Sequence, residues 1–298
     1  MKKGIKVRFH DVQSMLSLNP EVFEFHFSDK DLDMEHSFSN EHFDQELVVH
    51  APEYHQGKLI DLCSDNTQSL HHSREESVRL IQKVIDETTR ISKHFSGKPL
   101  MVLHPGGMCL KRIKDKEKIN ELRENLRKSL KQLDKKNVTI LLENMPPYPW
   151  FYGGQWNCHI LIDADEINQF CKENGYGFCF DLSHAQLYCK WAGKDLIEYI
   201  KTIKPLIKHV HFADADGVDG EGLQIDEGEI DFSKVMPHFR DIEMEESITM
   251  IPEIWRGHEK DGEGFKIAFE RLNKHINKKE ITGNIEDTSL ERLKRYFK

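Results

Sequence analysis

Long apolar runs are missing from this 298-residue sequence. No stretch could cross a bilayer as a helix, so a membrane-spanning chain of that kind is not expected. The opening residues, Met1-Lys-Lys-Gly-Ile-Lys, carry lysines with no hydrophobic segment behind them, and a signal peptide is not expected either. Cysteine is sparse. The six cysteines, at 63, 109, 158, 171, 179 and 189, include no Cys-x-x-Cys pair. That argues against a cysteine zinc site and for reduced thiols in the cytoplasm. Positive charge is in deficit: 42 Lys and Arg against 51 Asp and Glu give a formal net charge of -9. The surface as a whole therefore has no long-range attraction for nucleic acid or anionic lipid, and neither a nucleic acid nor a membrane is expected as a partner. Four motifs are also absent: Gly-x-Gly-x-x-Gly, a Walker-type loop, His-Glu-x-x-His and Gly-x-Ser-x-Gly. Their absence leaves no signal for a dinucleotide fold, a nucleotide loop, a zincin or a serine-hydrolase elbow.

What is present is a globular composition, 38% hydrophobic and 31% charged, in a chain long enough for one large α/β domain or two ordinary ones. Short apolar runs recur: Ile5 to Phe9, Glu21 to Ser28, Leu47 to His50, Leu100 to His104, Val138 to Glu143, Gly177 to Asp181, His209 to Asp214, and Ile248 to Trp255. These read as strands. Between them lie stripes at helical spacing over Arg74 to Phe95, Lys116 to Lys135, Asp163 to Lys172, Ala192 to Ile203 and Phe265 to Ile276. Ser73 with Glu76 makes a capping box at the first of these. Eight strands, most followed by a helix, are the pattern of a single-domain (β/α)₈ TIM barrel, expected over residues 1–278. Residues 279–298 are expected to form a C-terminal helical extension packed on the barrel.

The strand ends share a chemistry. They read His50, His104, Glu143, Asp181 with His184 just beyond, His211 and Glu253. In a TIM barrel these ends converge on one mouth. One histidine there is ordinarily a hydrogen-bonded core residue, and one acid a helix cap. Six together would crowd carboxylates without a cation, so the set is expected to hold metal. Imidazole and carboxylate donors without thiolate suit a divalent ion such as Mn²⁺, Zn²⁺, Co²⁺ or Fe²⁺.

The series Val-His50-Ala-Pro, Leu-His104-Pro-Gly, Leu-Glu143-Asn, Phe-Asp181-Leu-Ser-His184, His-Val-His211-Phe-Ala-Asp214, Gly-Glu-Ile-Asp231-Phe and Pro-Glu253-Ile resembles the xylose-isomerase-like TIM-barrel superfamily. That group includes sugar-phosphate isomerases, epimerases and endonuclease IV. The resemblance implies that Glu143, Asp181, His211 and Glu253 are the four ligands of a central metal, with Glu143 and Glu253 also moving the proton on opposite sides of a sugar carbon. It implies that His184 contacts substrate. His50 and His104 match ligands of a second zinc in endonuclease IV, so one ion, or two, is expected per chain; both are also expected among the substrate contacts. The departure comes after strand seven. Where the endonuclease carries Asp-x-His, this chain has no histidine between His211 and His238, which leaves a trinuclear site incomplete.

The resulting expectation is a divalent-metal-dependent isomerase or epimerase acting on a small carbohydrate, free or phosphorylated. The alternatives are an endonuclease IV-like phosphodiesterase on abasic DNA and a non-catalytic sugar- or metal-binding barrel. The loop Trp150-Phe-Tyr-Gly-Gly-Gln-Trp156 offers rings for the carbon face of a sugar; those rings could equally pack on the rim or on a partner subunit, so a homo-oligomer stays open. Arg256 could hold a phosphate or carboxylate of the substrate.

Overall fold

Alternation along the strands builds the barrel. In the computed structural model, which describes residues 1–36, 38, 41–245 and 247–294, eight parallel strands close on themselves. They are β1 (Lys2–Val7), β2 (Val22–His26), β3 (Glu46–His50), β4 (Ser96–Leu103), β5 (Thr139–Glu143), β6 (Gly177–Asp181), β7 (Ile207–Phe212) and β8 (Thr249–Pro252), and β8 pairs back with β1. Side chains of one parity, among them Phe23, Phe25, Leu47, Met101, Leu142, Phe180 and Phe212, face outward into the main core under the helices. The other parity points into the barrel, where Val22, Val48, Val102, Leu141, Cys179 and Ile251 make a small separate apolar floor. The cross-strand register sets Lys6 beside Glu24, His26 beside His50 and Asp181 beside His211. Two residues up a strand is about 7 Å, so these polar residues lie one layer above the floor and belong to the mouth. Gly4 completes the floor: a Cβ there would lie 2.4 Å from Ile251 Cδ1, so only hydrogen fits.

The helices are α1 (Val12–Met15), α2 (Arg74–Ile91), α3 (Lys116–Gln132), α4 (Ala164–Asn174), α5 (Leu182–Ala192), α6 (Leu196–Ile203), α7 (Phe232–Glu245) and α8 (Glu259–Lys294). Each of α2 to α6 starts on a side-chain cap, from Ser73, Asp115, Asp163, Asp181 and Asp195 in turn. The expected capping box at α2 is half made. Ser73 accepts from Glu76 N, while the Glu76 carboxylate turns outward to Arg79.

Several expectations shift. The stretch after Asp181 is a helix from Leu182 onward, and the single helix expected over Ala192 to Ile203 is the end of α5 plus α6. Gly193, at φ +65°, is where α5 stops. The last expected strand stops at Pro252 instead of Trp255, and Asp214 begins a β-hairpin, Asp214–Asp216 with Gly220–Leu223, that stands over the mouth. The expected 279–298 extension is helical as far as Lys294, the end of α8; its packing rests on side chains beyond Ile276, which lie outside what is described.

Candidate metal centre

The four central ligand candidates meet. One donor atom each from Glu143, Asp181, His211 and Glu253 lie within 4.8 Å of one another. His211 Nδ1 is 3.2 Å from Glu143 Oε1, 2.7 Å from Glu253 Oε2 and 3.8 Å from Asp181 Oδ2. A second group shares Glu143: His50 Nε2 and His104 Nε2 lie 3.2 and 3.1 Å from its Oε2. All are buried except Glu253, whose side chain keeps 31% exposure, and His104 at 15%.

The histidines carry a signature that tests whether a cation fits. His50 Nδ1 is 2.9 Å from the Ala51 carbonyl, which can only accept, so that nitrogen bears the proton. A neutral His50 then turns its Nε2 lone pair on a carboxylate oxygen. His211 is fixed the same way, with Nε2 donating over 2.8 Å to Glu24 Oε2 and Nδ1 turned towards three carboxylates. Lone pair against lone pair is repulsive, and either an imidazolium proton or a metal ion between them resolves it. Burial disfavours the imidazolium of both, yet the carboxylates outweigh it and raise His50, and raise His211 well above its ordinary value. Glu253 Oε2 is buried and accepts no aligned hydrogen bond among the described residues. An inward-facing set of one imidazole and three carboxylates, with an orphaned oxygen, fits a divalent cation.

Behind these ligands stands a shell that sequence reasoning missed. Glu24, fully buried, accepts from both His209 Nε2 at 2.7 Å and His211 Nε2, and fixes the tautomer and tilt of the latter. Lys6 hydrogen-bonds Glu253 Oε1 and lies 3.6 Å from Glu24 Oε1. Burial opposes ionisation of Glu24 and Glu253; the surrounding His211 and Lys6 nevertheless hold both well below the usual carboxylate range. Asn144 clamps the end of β6, accepting from Asp181 N at 2.9 Å and donating to Asp181 O at 2.8 Å. Asp181 differs from the other acids. Burial raises its carboxyl to about 6, with the neighbouring Glu253 and Glu143 adding to the rise against the pull of His184. It spends Oδ1 on the His184 amide, 2.6 Å away.

A cavity of about 490 Å³ opens above the ligands, and His104, Trp150, His184 and Arg256 all line it. His184 gives Nδ1 to the Asn144 carbonyl and sets Nε2 3.3 Å from Glu221 Oε2 on the Asp214–Leu223 hairpin. Burial lowers His184, but Asp181, Glu221 and Glu143 together raise it to about 10, so it is a cation at neutral pH. Trp150 is 52% exposed at the rim. Two expected substrate contacts are not brought there. His50 is sealed beneath Glu143 as part of the ligand layer. Trp156 is 1% exposed and packs inward, its Nε1 donating to Phe151 O and its ring 5.5 Å from His71. Arg256 is at the edge of the cavity, mostly exposed and paired with Glu259 at 2.6 Å.

The sequence model of the xylose isomerase-like TIM barrel matches residues 3–283. The chain belongs to the xylose isomerase-like TIM barrel family. An uncharacterized protein of Methanocaldococcus jannaschii is 26% identical over 245 residues, 80% of this chain and 75% of the relative. The crystal structure of a D-tagatose 3-epimerase-like protein is similar at a TM-score of 0.62 and 22% identity, covering 93% of this chain and 100% of the other. Endonuclease IV from Thermus thermophilus is similar at a TM-score of 0.61 and 16% identity, covering 92% and 100%. At these identities the two structures show a shared fold. This family member thus has both epimerase and endonuclease neighbours, and its candidate site has to be read from its own residues.

Proposed function

We propose that this family member is a divalent-metal-dependent sugar or sugar-phosphate epimerase or isomerase, with Glu253 as the first proton acceptor and Glu143 as its counterpart. One observation carries the reading: Glu253 presents a buried oxygen without an aligned hydrogen-bond donor at the floor of the cavity, within 4.8 Å of donor atoms from Glu143, Asp181 and His211. A divalent ion held by Glu143, Asp181, His211 and Glu253 supplies Lewis acidity towards a carbonyl and its neighbouring hydroxyl. The chain's own residues do the rest. Lys6 holds the Glu253 carboxylate in place through Oε1, and Glu253 takes the proton from the carbon next to the carbonyl. Glu143, three strands away with β6 and β7 between, returns a proton on its own side. His184, cationic and anchored on the Asn144 carbonyl, donates to a substrate oxygen and steadies negative charge that develops there. Trp150, half exposed at the rim, offers a flat apolar face on one wall of the cavity.

The test is deuterium incorporation. Purified protein loaded in turn with Mn²⁺, Zn²⁺ and Co²⁺ is incubated in D₂O with a panel of ketoses, aldoses and their phosphates. Deuterium is expected at the carbon next to the carbonyl, and Glu253→Gln should abolish it; undiminished exchange in that variant removes Glu253 from the mechanism. A two-ion phosphodiesterase is the second reading, favoured by the set His50, His104 and Glu143 beside the central one. It requires two ions per chain and cleavage of an abasic-site oligonucleotide.

A further inference from the structure

The cavity is rich in acids, with Asp11, Glu53 and Glu221 among its walls besides the ligand candidates. Its fixed cations are mostly spoken for: Lys6 by Glu253 and Glu24, and Arg256 by Glu259. Arg8 is the exception. Its guanidinium donates to the carbonyl oxygen of His26, and among the described residues no carboxylate pairs with it. Asp11, the acid nearest in sequence, spends Oδ1 on the Arg8 backbone amide at 2.7 Å. Glu53 is engaged by His26 Nε2 at 3.1 Å. A half-buried guanidinium has five N–H donors, and one neutral acceptor leaves most of them and the whole charge unanswered.

Its position gives that unanswered charge a meaning. Gly4 and Lys6 face inward from β1, and Arg8, the first residue past the end of that strand, lines the same cavity as Lys6 and Glu253, nearer its mouth. An anion held there is a few carbon–carbon bonds from the reacting carbon and cannot be the reacting group itself. Resting on the sugar reading of the site, we propose that the substrate carries an oxyanion, a phosphate ester or a carboxylate, and that Arg8 is the residue that binds it. The planar fork of Arg8 suits two oxygens of either group.

The probes are inorganic phosphate and acetate, titrated separately by calorimetry into the metal-loaded full-length protein. One of them is expected to bind saturably, about 10-fold or more weakly in Arg8→Gln, and with unchanged affinity in Arg256→Gln. The probe that responds identifies the oxyanion. Because Arg8 also ties down the end of β2, melting temperatures are read in parallel. Arg8→Lys, which keeps the charge without the fork, should fall between the wild type and Arg8→Gln. Equal affinity in wild type and Arg8→Gln, no saturable binding by the wild type, or Arg8→Lys binding no better than Arg8→Gln overturns the proposal. Neither titration needs turnover. Failure here leaves an epimerase of neutral sugars standing, whereas Arg8-dependent binding without deuterium exchange defeats the epimerase and keeps the anion site.

Discussion

Glu143 and Glu253 are the same residue type at the ends of two strands of one barrel, and their surroundings have made them different acids. Glu143 is 1% exposed, and its two oxygens are shared among His50, His104 and His211. Burial would raise it, but those imidazoles hold it well below the usual carboxylate range. Glu253 has one oxygen fixed by Lys6 and the other without an aligned donor, with the side chain 31% exposed towards the cavity. Both acids are held well below the usual carboxylate range, so the contrast lies in geometry. Glu143 is hemmed in by three imidazoles, whereas Glu253 Oε2, 2.7 Å from His211 Nδ1 but without an aligned bond, is the more open towards the cavity. The difference teaches that a pair of strand-end glutamates does not divide its work equally.

Glu253→Gln sharpens this most. Turnover, measured as deuterium exchange, is expected to fall about 10²- to 10⁴-fold while the purified protein keeps its metal. Glu143→Gln should show the reverse order of loss, with metal content, read by elemental analysis, dropping first. Equal metal loss in the two variants would break the asymmetry. Glu24→Gln reaches both acids through His211 and Lys6. Metal affinity is expected to weaken about 10- to 100-fold, in competition with a chromogenic chelator, as for other residues that orient a ligating histidine. Lys6→Met frees Glu253 Oε1 and should lower turnover about 10-fold through the lost charge-assisted bond, with metal affinity changed less than in Glu24→Gln. Trp150→Ala, at the rim and away from both glutamates, should raise KM about 3-fold at most and leave kcat alone, since an exposed ring contributes little.

Strand ends in a parallel barrel converge, so the sequence already put the six metal-competent residues on one rim; which four of them make the central candidate set came from the resemblance, and those four do meet. The sequence carried the barrel because eight apolar runs alternate with helical stripes. Glu24 and Lys6 escaped for a physical reason. In Glu21-Val-Phe-Glu-Phe-His the alternation shows two unlike faces, but it does not say which one meets water. The polar face of β2 turns out to be the barrel interior, and Lys6 likewise sits among acids and not in solvent. Trp156 was misjudged on loop composition. Its indole is satisfied by the Phe151 carbonyl, which lets the whole ring go under. The start of α5 was hidden because its cap is the last residue of β6, with no loop between strand and helix to announce it. Arg8 lies just past the end of β1 in a segment, Val7-Arg-Phe-His10, that carries no motif.

Asp181 begins α5 with one oxygen and faces the ligand cluster with the other. Helix phase and ligand position therefore hang on a single peg, and the His184 imidazole is set by counting three residues from it. Inserting or deleting one residue between Asp181 and His184 would swing that ring by about 100° round the helix, away from the cavity. Length changes should be lethal to activity across these four positions and tolerated in the turn at Gly193 and Lys194 between α5 and α6, so a scan of single-residue insertions would trace the outline of the site without any knowledge of its substrate.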